Sequence, residues 1–244
     1  MAYTIDINAD LGEGTGKDVA IMPLISSCSI ACGGHYGTEK TMRKAILLAK
    51  KHNVKVGAHP SFPDTNNFGR KIVTMTKSEL IESILNQLTA FFDICTSESI
   101  SVHHVKCHGA LYNYSAIDAL TADAVVEAIL ATKQRPKLYV QHGSILHKKA
   151  ENLLPLQFEA FIDRRYTQQG TLVPRSHAKA IIHAPKKAWK QLLQMITNNK
   201  VKTIDKQIIS IIATTYCIHS DHKDSVAILN YLHSQFQSHK IDLI

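Results

Sequence analysis

The sequence predicts an α/β fold: one domain, residues 1–244, whose strand–helix units close into a (β/α) barrel or a distorted version of one. Three observations lead there. Short β-type runs alternate with longer segments of helical periodicity, the pattern of parallel strands joined by crossover helices. About seven or eight such units fit in the chain, near the size of a closed α/β barrel. Polar and glycine residues bunch at the ends of the strand-like runs, and none of these runs leads into the G-x-G-x-x-G turn of a doubly wound dinucleotide-binding sheet.

Taken in order, Thr4–Asn8 sets Ile5 and Ile7 between polar residues and reads as a first strand. Cys28–Ala31 is a second strand, running into a glycine-rich turn. Thr38–Lys51 carries Met42, Ala45, Ile46 and Ala49 at helical spacing, and Val54–Ala58 is a third strand ending at His59-Pro60. Thr76-Lys77-Ser78-Glu79 is a capping-box pattern. It opens an amphipathic helix to about Asp93, with Leu80, Ile84, Leu88 and Phe91 or Phe92 on one face. Val102–Lys106 is the next strand, Thr121–Ala131 a helix, and Leu138–Gln141 and Gln157–Phe161 further strands. Ala180–Ile182 follows as an apolar run, Lys186–Ile196 reads as a helix, the stretch near Ile211–Cys217 as a strand and Asp224–Gln237 as the last helix.

Composition narrows the function classes. With 45% apolar and 20% charged residues the chain can bury a full core, which excludes a disordered chain. No apolar run approaches the roughly 18 residues of a membrane span, and the start, MAYTIDINADLGEG, carries acids where a signal peptide needs a basic, then apolar stretch. The five cysteines form no C-x-x-C pair, so reduced thiols and a cytoplasmic location are expected. The net charge of +8 lies wholly in residues 123–244, with 17 basic and 9 acidic residues against 11 and 11 before them. These charges are scattered and rarely interleaved with aromatics, so no nucleic-acid partner is expected.

The chemistry-bearing residues recur at one topological position. NADLGEG, CGGHYG, GAHP, KCHGALYN, QHGS, IDRRY and CIHSDH all stand where strands should end, and five of these seven segments hold a histidine. In a parallel barrel such ends meet on one face. Asp10, beside glycines, is a candidate metal ligand or general base, or else a turn-capping acid. His35 and His59 end the second and third strands; with Asp10 they would suit a hydrolytic metal ion, or they serve as proton and hydrogen-bond donors. Lys106 and His108 alternate about Cys107 and so share a face; Lys106 is expected to pair with a substrate carboxylate rather than act as a nucleophile. Asp163, Arg164, Arg165 and Arg175 form a cationic patch, and Arg70 follows Phe68-Gly69; such arginines grip carboxylate or phosphate, or pair with local acids. Neither G-x-S-x-G nor a Walker A sequence occurs, which argues against a Ser-His-Asp hydrolase and a P-loop in this chain.

The stretches IDINADLGEG, MPLISSCSIACGGH, VGAHPSFPDTNNFGR, VKCHGALYN, FIDRRYTQQGTLVPRS and TTYCIHSD resemble the LamB/YcsF family, in order from residue 5 to residue 221. The resemblance implies a barrel akin to glycoside hydrolase/deacetylase barrels. It also implies a role as the A subunit of an ATP-hydrolysing 5-oxoprolinase that opens 5-oxo-L-proline to L-glutamate with partner subunits B and C. It places Asn8, Asp10, Glu13, His35, His59, Arg70, Lys106, His108, Asn113, Arg165, His219 and Asp221 in the site. The chain departs from the family pattern at Tyr36, where a small residue is usual, at Thr38, in place of an acid, and at Ser220, in place of glycine. Those departures bear on substrate fit rather than on fold.

A five-membered lactam is an unstrained amide, and phosphorylating its carbonyl oxygen would activate it. The expected division of labour gives ATP chemistry to the partners and water delivery to this barrel. Asp10, His59, Lys106, His108, His219 and Asp221 are the catalytic candidates. Asn8, Glu13, His35, Arg70, Asn113, Arg165 and Arg175 are the substrate-binding candidates, and Asp10, His35 and His59 the metal candidates. The rival readings are a stand-alone metal-dependent amide or acetyl-sugar hydrolase, and a noncatalytic lactam-binding subunit.

Overall fold

Among the described residues, 2–244 of the computed structural model, seven parallel strands close into a barrel. In chain order the first half holds β1 (Tyr3–Leu11), α1 (Asp18–Ile21), β2 (Ser27–Ala31), α2 (Glu39–Lys51), β3 (Lys55–His59), α3 (Lys77–Ser97), β4 (Val102–Val105), α4 (Gly109–Ser115) and α5 (Ala119–Ala131). Then come β5 (Lys137–Val140), α6 (Ile145–Ala150), β6 (Leu156–Phe161), α7 (Pro185–Asn198), β7 (Lys200–Lys202), β8 (Ile208–Ser210), β9 (Thr215–His219), α8 (Ser225–His239) and β10 (Ile241–Leu243). The barrel order is β1-β2-β3-β4-β5-β6-β9, with β9 returning to β1. β7 and β8 form a separate antiparallel hairpin, and β10 pairs in parallel with the first residues of β1.

Local chemistry starts the helices where the sequence predicts. The Glu79 backbone N–H donates to Thr76 Oγ1 at 3.3 Å while Thr76 N–H donates to the Glu79 carboxylate at 2.7 Å, a reciprocal cap for α3. Asp118 accepts from Thr121 N–H at 2.8 Å and starts α5 two residues earlier than its apolar pattern suggests. The helices pack Ile46, Ile84, Leu88, Phe91, Val125 and Leu192 onto the outward faces of the strands, where Ile7, Leu11, Ile30 and Leu138 are buried.

One predicted strand needs correction, and the apolar run Ala180–Ile182 forms no barrel strand. It folds back on the segment leaving β6, with Arg165 N–H donating to Ala180 O and Ile182 N–H to Asp163 O, each at 2.8 Å. The last barrel strand is Thr215–His219 rather than Ile211–Cys217. Ile211 N–H still closes the β7–β8 hairpin onto Asn199 O, and the chain joins the barrel only where Thr215 meets Asp6 and Glu159.

Strand alternation decides what fills the barrel. β1 puts Ile5, Ile7, Ala9 and Leu11 on one face and Asp6, Asn8 and Asp10 on the other. The polar face turns inward: Tyr139 of β5 donates to Asp6 across the barrel at 3.3 Å, Thr215 donates to Asp6 at 2.6 Å, and Asn8 donates to Thr215 at 2.7 Å. His104 bonds Ser29 Oγ at 3.1 Å and stacks on Tyr139 at 3.8 Å. Gly57 makes the room, since a Cβ there would lie 2.3 Å from the His104 ring. The lumen is a hydrogen-bonded polar column whose upper end is the site.

Candidate active site

The carboxyl ends of the strands surround a cavity of about 470 Å³. Asp10, His59, Lys106, His108 and His219 line its depths, Arg70, Asn113 and Arg175 its outer parts, and Tyr112, Phe161, Leu172 and Val173 its apolar walls. The histidine-bearing strand ends therefore share one mouth. Asn8, Glu13 and His35 lie buried around the cavity without lining it, and Asp221 sits at the rim.

Lys106, one residue beyond β4, reaches across the barrel. Its Nζ donates to Asp10 Oδ1 at 2.8 Å and Asn8 Oδ1 at 3.1 Å, and lies 3.0 Å from Cys217 Sγ and 2.9 Å from Glu159 Oε1. Burial opposes charge here, but Asp10, Cys217 and Glu159 outweigh it and raise Lys106 well above its ordinary range. Burial likewise pushes Asp10 up, yet the charges of His59 and Lys106 hold its carboxyl well below the usual range. With its hydrogens committed to internal acceptors, Lys106 is a fixed charge beneath the cavity. The expected pairing with a substrate carboxylate gives way to this internal network.

His219 ends β9. Its Nδ1 donates to Asp163 Oδ1 at 3.0 Å and its backbone N–H donates to Asp163 Oδ2 at 3.0 Å. That bond fixes the tautomer and leaves Nε2 as the ring's acceptor, on a side chain that lines the cavity. Burial raises Asp163, but the charge and hydrogen bonds of His219 more than reverse it and hold the acid at about 2. An ionised, buried carboxylate behind an imidazole is the arrangement of an oriented general base.

Across from it stands a second cluster. His59 Nδ1 donates to the Lys106 carbonyl at 2.7 Å, and His108 Nε2 donates to the Phe68 carbonyl at 2.9 Å. His59 Nε2 and His108 Nδ1 face each other at 3.0 Å, and Glu13 Oε1 lies 3.2 Å from His108 Nδ1. His35 Nε2 donates to Glu13 Oε1 at 3.1 Å, and its ring stacks on His108 with ring centres 3.6 Å apart. Burial outweighs the pull of Glu13 and lowers His35 to about 4, so its ring is neutral near pH 7.

The donor sets can be tested for a metal ion. Among the described residues, Asp10–Cys217–His219, Glu13–His35–His108 and His183–His222–Asp224 bring three donor atoms within 4.8 Å of one another. In the first, the Lys106 ammonium already occupies the cation's place beside Asp10 and Cys217. Asp10, His35 and His59 are not among these sets; His35 Nε2 faces Glu13 instead. The donors around Glu13 and His108 do suit a cation, since histidines whose other nitrogen donates to a backbone carbonyl are in the state metal ligands require.

At the rim, Arg70 and Arg175 both pair with Asp221 Oδ2, Arg175 at 2.8 Å, tying the loops after β3, β6 and β9. Arg165 is half-buried and does not line the cavity. Arg164 does, with Nη2 donating to Val173 O at 2.7 Å. The one-residue exchange follows from the β-bridge between Arg164 and Ile181, which fixes the side on which each guanidinium emerges. Tyr36 packs over Gly14 and Thr38 caps α2, so neither departure from the family pattern touches the cavity. Sequence reasoning left Glu159, Asp163 and Cys217 out of the site. Asp163 carried a usable signal, an acid directly after a strand; Glu159 and Cys217 lie within strands, where nothing local marks the inward face.

Comparison with known proteins agrees with this architecture. The LamB/YcsF family matches residues 5–244. The 5-oxoprolinase A subunits of two Haemophilus influenzae strains, PittEE and 86-028NP, are each 38% identical over 240 residues, covering 98% of this chain and 98% of theirs. The crystal structure of the lactam utilization protein from Thermus thermophilus superposes with a TM-score of 0.91 at 34% identity, covering 98% of both chains. A family 4 carbohydrate esterase from Streptomyces lividans shares only the fold, with a TM-score of 0.52 at 7% identity over 99% of this chain and 91% of that one. On a match running essentially end to end, and on the same closed barrel, the chain belongs to the LamB/YcsF family.

Proposed function

We propose that this protein opens the ring of 5-oxo-L-proline to L-glutamate, as the A subunit of an ATP-consuming 5-oxoprolinase working in the cytoplasm with B and C subunits. The observation that carries the reading is the Asp163–His219 pair, whose imidazole borders the same cavity as Asp10. The relatives named as 5-oxoprolinase A subunits and as a lactam utilization protein supply the substrate class.

In this reading the lactam sits between Phe161, Tyr112 and Val173, with its carboxylate toward Arg70 and Arg175. His219 takes a proton from water as the water oxygen bonds to the lactam carbonyl carbon. The ring C–N bond then breaks, and the imidazolium returns its proton to the departing nitrogen. Asp163 stays ionised throughout, steadying the imidazolium. A divalent ion held by Asp10, Glu13, His59 and His108 would polarise the carbonyl. Activation with ATP falls to the partner subunits, since this chain carries no Walker A sequence: the γ-phosphoryl group moves to the lactam carbonyl oxygen as ADP leaves, ring opening then yields a γ-glutamyl phosphate, and a second water cleaves that to glutamate and phosphate.

The test is reconstitution with B and C subunits and an assay for glutamate released from 5-oxoproline. His219→Gln should lower turnover by about 10² to 10⁴ with little change in ATP-independent binding of the lactam. Wild-type turnover in that variant would remove His219 from the chemistry. Glutamate release by the chain alone, without ATP, would favour the stand-alone hydrolase.

A further inference from the structure

We propose that Asp10, Glu13, His59 and His108 form a binding site for one divalent transition-metal ion. The set differs from the one read off the sequence: His108 takes the place of His35, and Glu13 joins as a fourth donor.

Hydrogen positions on two rings are fixed by their partners. A backbone carbonyl can only accept, so His59 must carry its proton on Nδ1, facing Lys106 O, and His108 must carry its proton on Nε2, facing Phe68 O. In neutral rings the remaining nitrogens, His59 Nε2 and His108 Nδ1, then point bare lone pairs at each other over 3.0 Å. Two carboxylate oxygens join the convergence: Glu13 Oε1 lies 3.2 Å from His108 Nδ1 and 3.9 Å from His59 Nε2, and Asp10 Oδ2 lies 3.5 Å from His59 Nε2. Apart from His35 Nε2–H, which donates to Glu13 Oε1, no donor stands among these four acceptors, and their convergence calls for a cation.

Charge decides between a proton and a metal. Asp10, Glu13 and Glu159 are 3%, 5% and 1% exposed, and Lys106, paired to both Asp10 and Glu159, is the fixed cation among them. Three buried carboxyl groups thus meet one ammonium, and uncompensated charge away from bulk water is costly. One proton can be shared by only two of the four acceptors, whereas one divalent ion is held by all four at once. Two imidazoles and two carboxylates are the donor types of Zn²⁺, Co²⁺ or Mn²⁺ rather than of Ca²⁺, which prefers oxygen throughout. His59, His108 and Asp10 border the cavity, so an ion there remains reachable by a small ligand. His35, stacked on His108 and bonded to Glu13, would hold both ligands in place.

The experiment uses the full chain, stripped with a chelator and dialysed. Zn²⁺ titration followed by calorimetry and elemental analysis should give one ion per chain, and Co²⁺ should give visible absorption bands characteristic of nitrogen and oxygen ligands. His108→Ala and Glu13→Gln should weaken Zn²⁺ binding by about 100-fold or more. His222→Ala, in the separate group with His183 and Asp224, should leave it unchanged. Far-UV circular dichroism checks that each variant is folded, and the Co²⁺ spectrum of the unmutated chain reads the ligands without any substitution. The proposal is overturned if folded wild-type chain binds neither Zn²⁺ nor Co²⁺, or if binding survives His108→Ala and disappears in His222→Ala. Because the readouts are stoichiometry and spectrum, they stand whether or not the chain opens a lactam.

Discussion

Single residues carry the electrostatics of this site, and Asp163 is the clearest case. Its carboxyl is held at about 2, against an ordinary 3.8, by His219 despite burial. A depressed acid adds stability above its unfolded value and loses that contribution as pH falls through its folded value. Asp163→Asn should therefore cost about 2 kcal/mol of unfolding free energy at pH 7. The gap between variant and wild type should close between pH 4 and pH 2, as wild type takes up the proton the variant never needed. Denaturant midpoints at pH 7, 4 and 2.5 check both statements; a gap independent of pH would mean that packing, not charge, is what the substitution disturbs. The contrast between Arg164 and Arg165 belongs to this scale too. Both arginines stand in the cationic patch of the sequence, and Arg164 alone of the two lines the cavity, since adjacent residues of an extended segment point to opposite sides.

Elements were legible where a local rule decides them. The cap of α3 is one: Thr76 and Glu79 satisfy each other's backbone N–H in the structure as their spacing implies. Thr76→Ala should cost about 1 kcal/mol, lowering the melting temperature by about 2–4 °C in a scanning experiment. Thr76→Ser should recover most of the loss. The strand ends bearing His59, His108 and His219 were legible for a related reason, since β-runs of period two and the glycines after them show where each strand stops. Ala180–Ile182 was not, because an apolar triplet reads alike in a barrel strand and in a loop folded back on Asp163 and Arg165. Glu159 was missed because an acid within an alternating strand looks solvent-facing, and only closure of the barrel turns that face inward.

At the level of the whole molecule, the inward face of the barrel is where the structure departs most from an apolar interior. Asp6, Asn8, Thr215, Tyr139, His104 and Ser29 bond to one another through the lumen, and the column ends at Lys106 and Asp10. Such a column tolerates no loose fit, and Gly57 is its tightest point. Gly57→Ala should push the His104 ring against Tyr139 and cost about 1–3 kcal/mol, measured as a shift in the denaturant midpoint. No loss of stability would show that the lumen can re-pack around a methyl group.

Barrel closure sets a timetable for the site as well. Asp10 pairs in register with His219 only through the seam between β1 and β9, and the bond from Thr215 to Asp6 spans 209 positions of sequence. During synthesis the early strands emerge long before their closing neighbour, and contacts so remote in sequence are slow to form. Asp10 and the His219 imidazole thus come to share one mouth only after the last barrel strand has emerged and closed the seam.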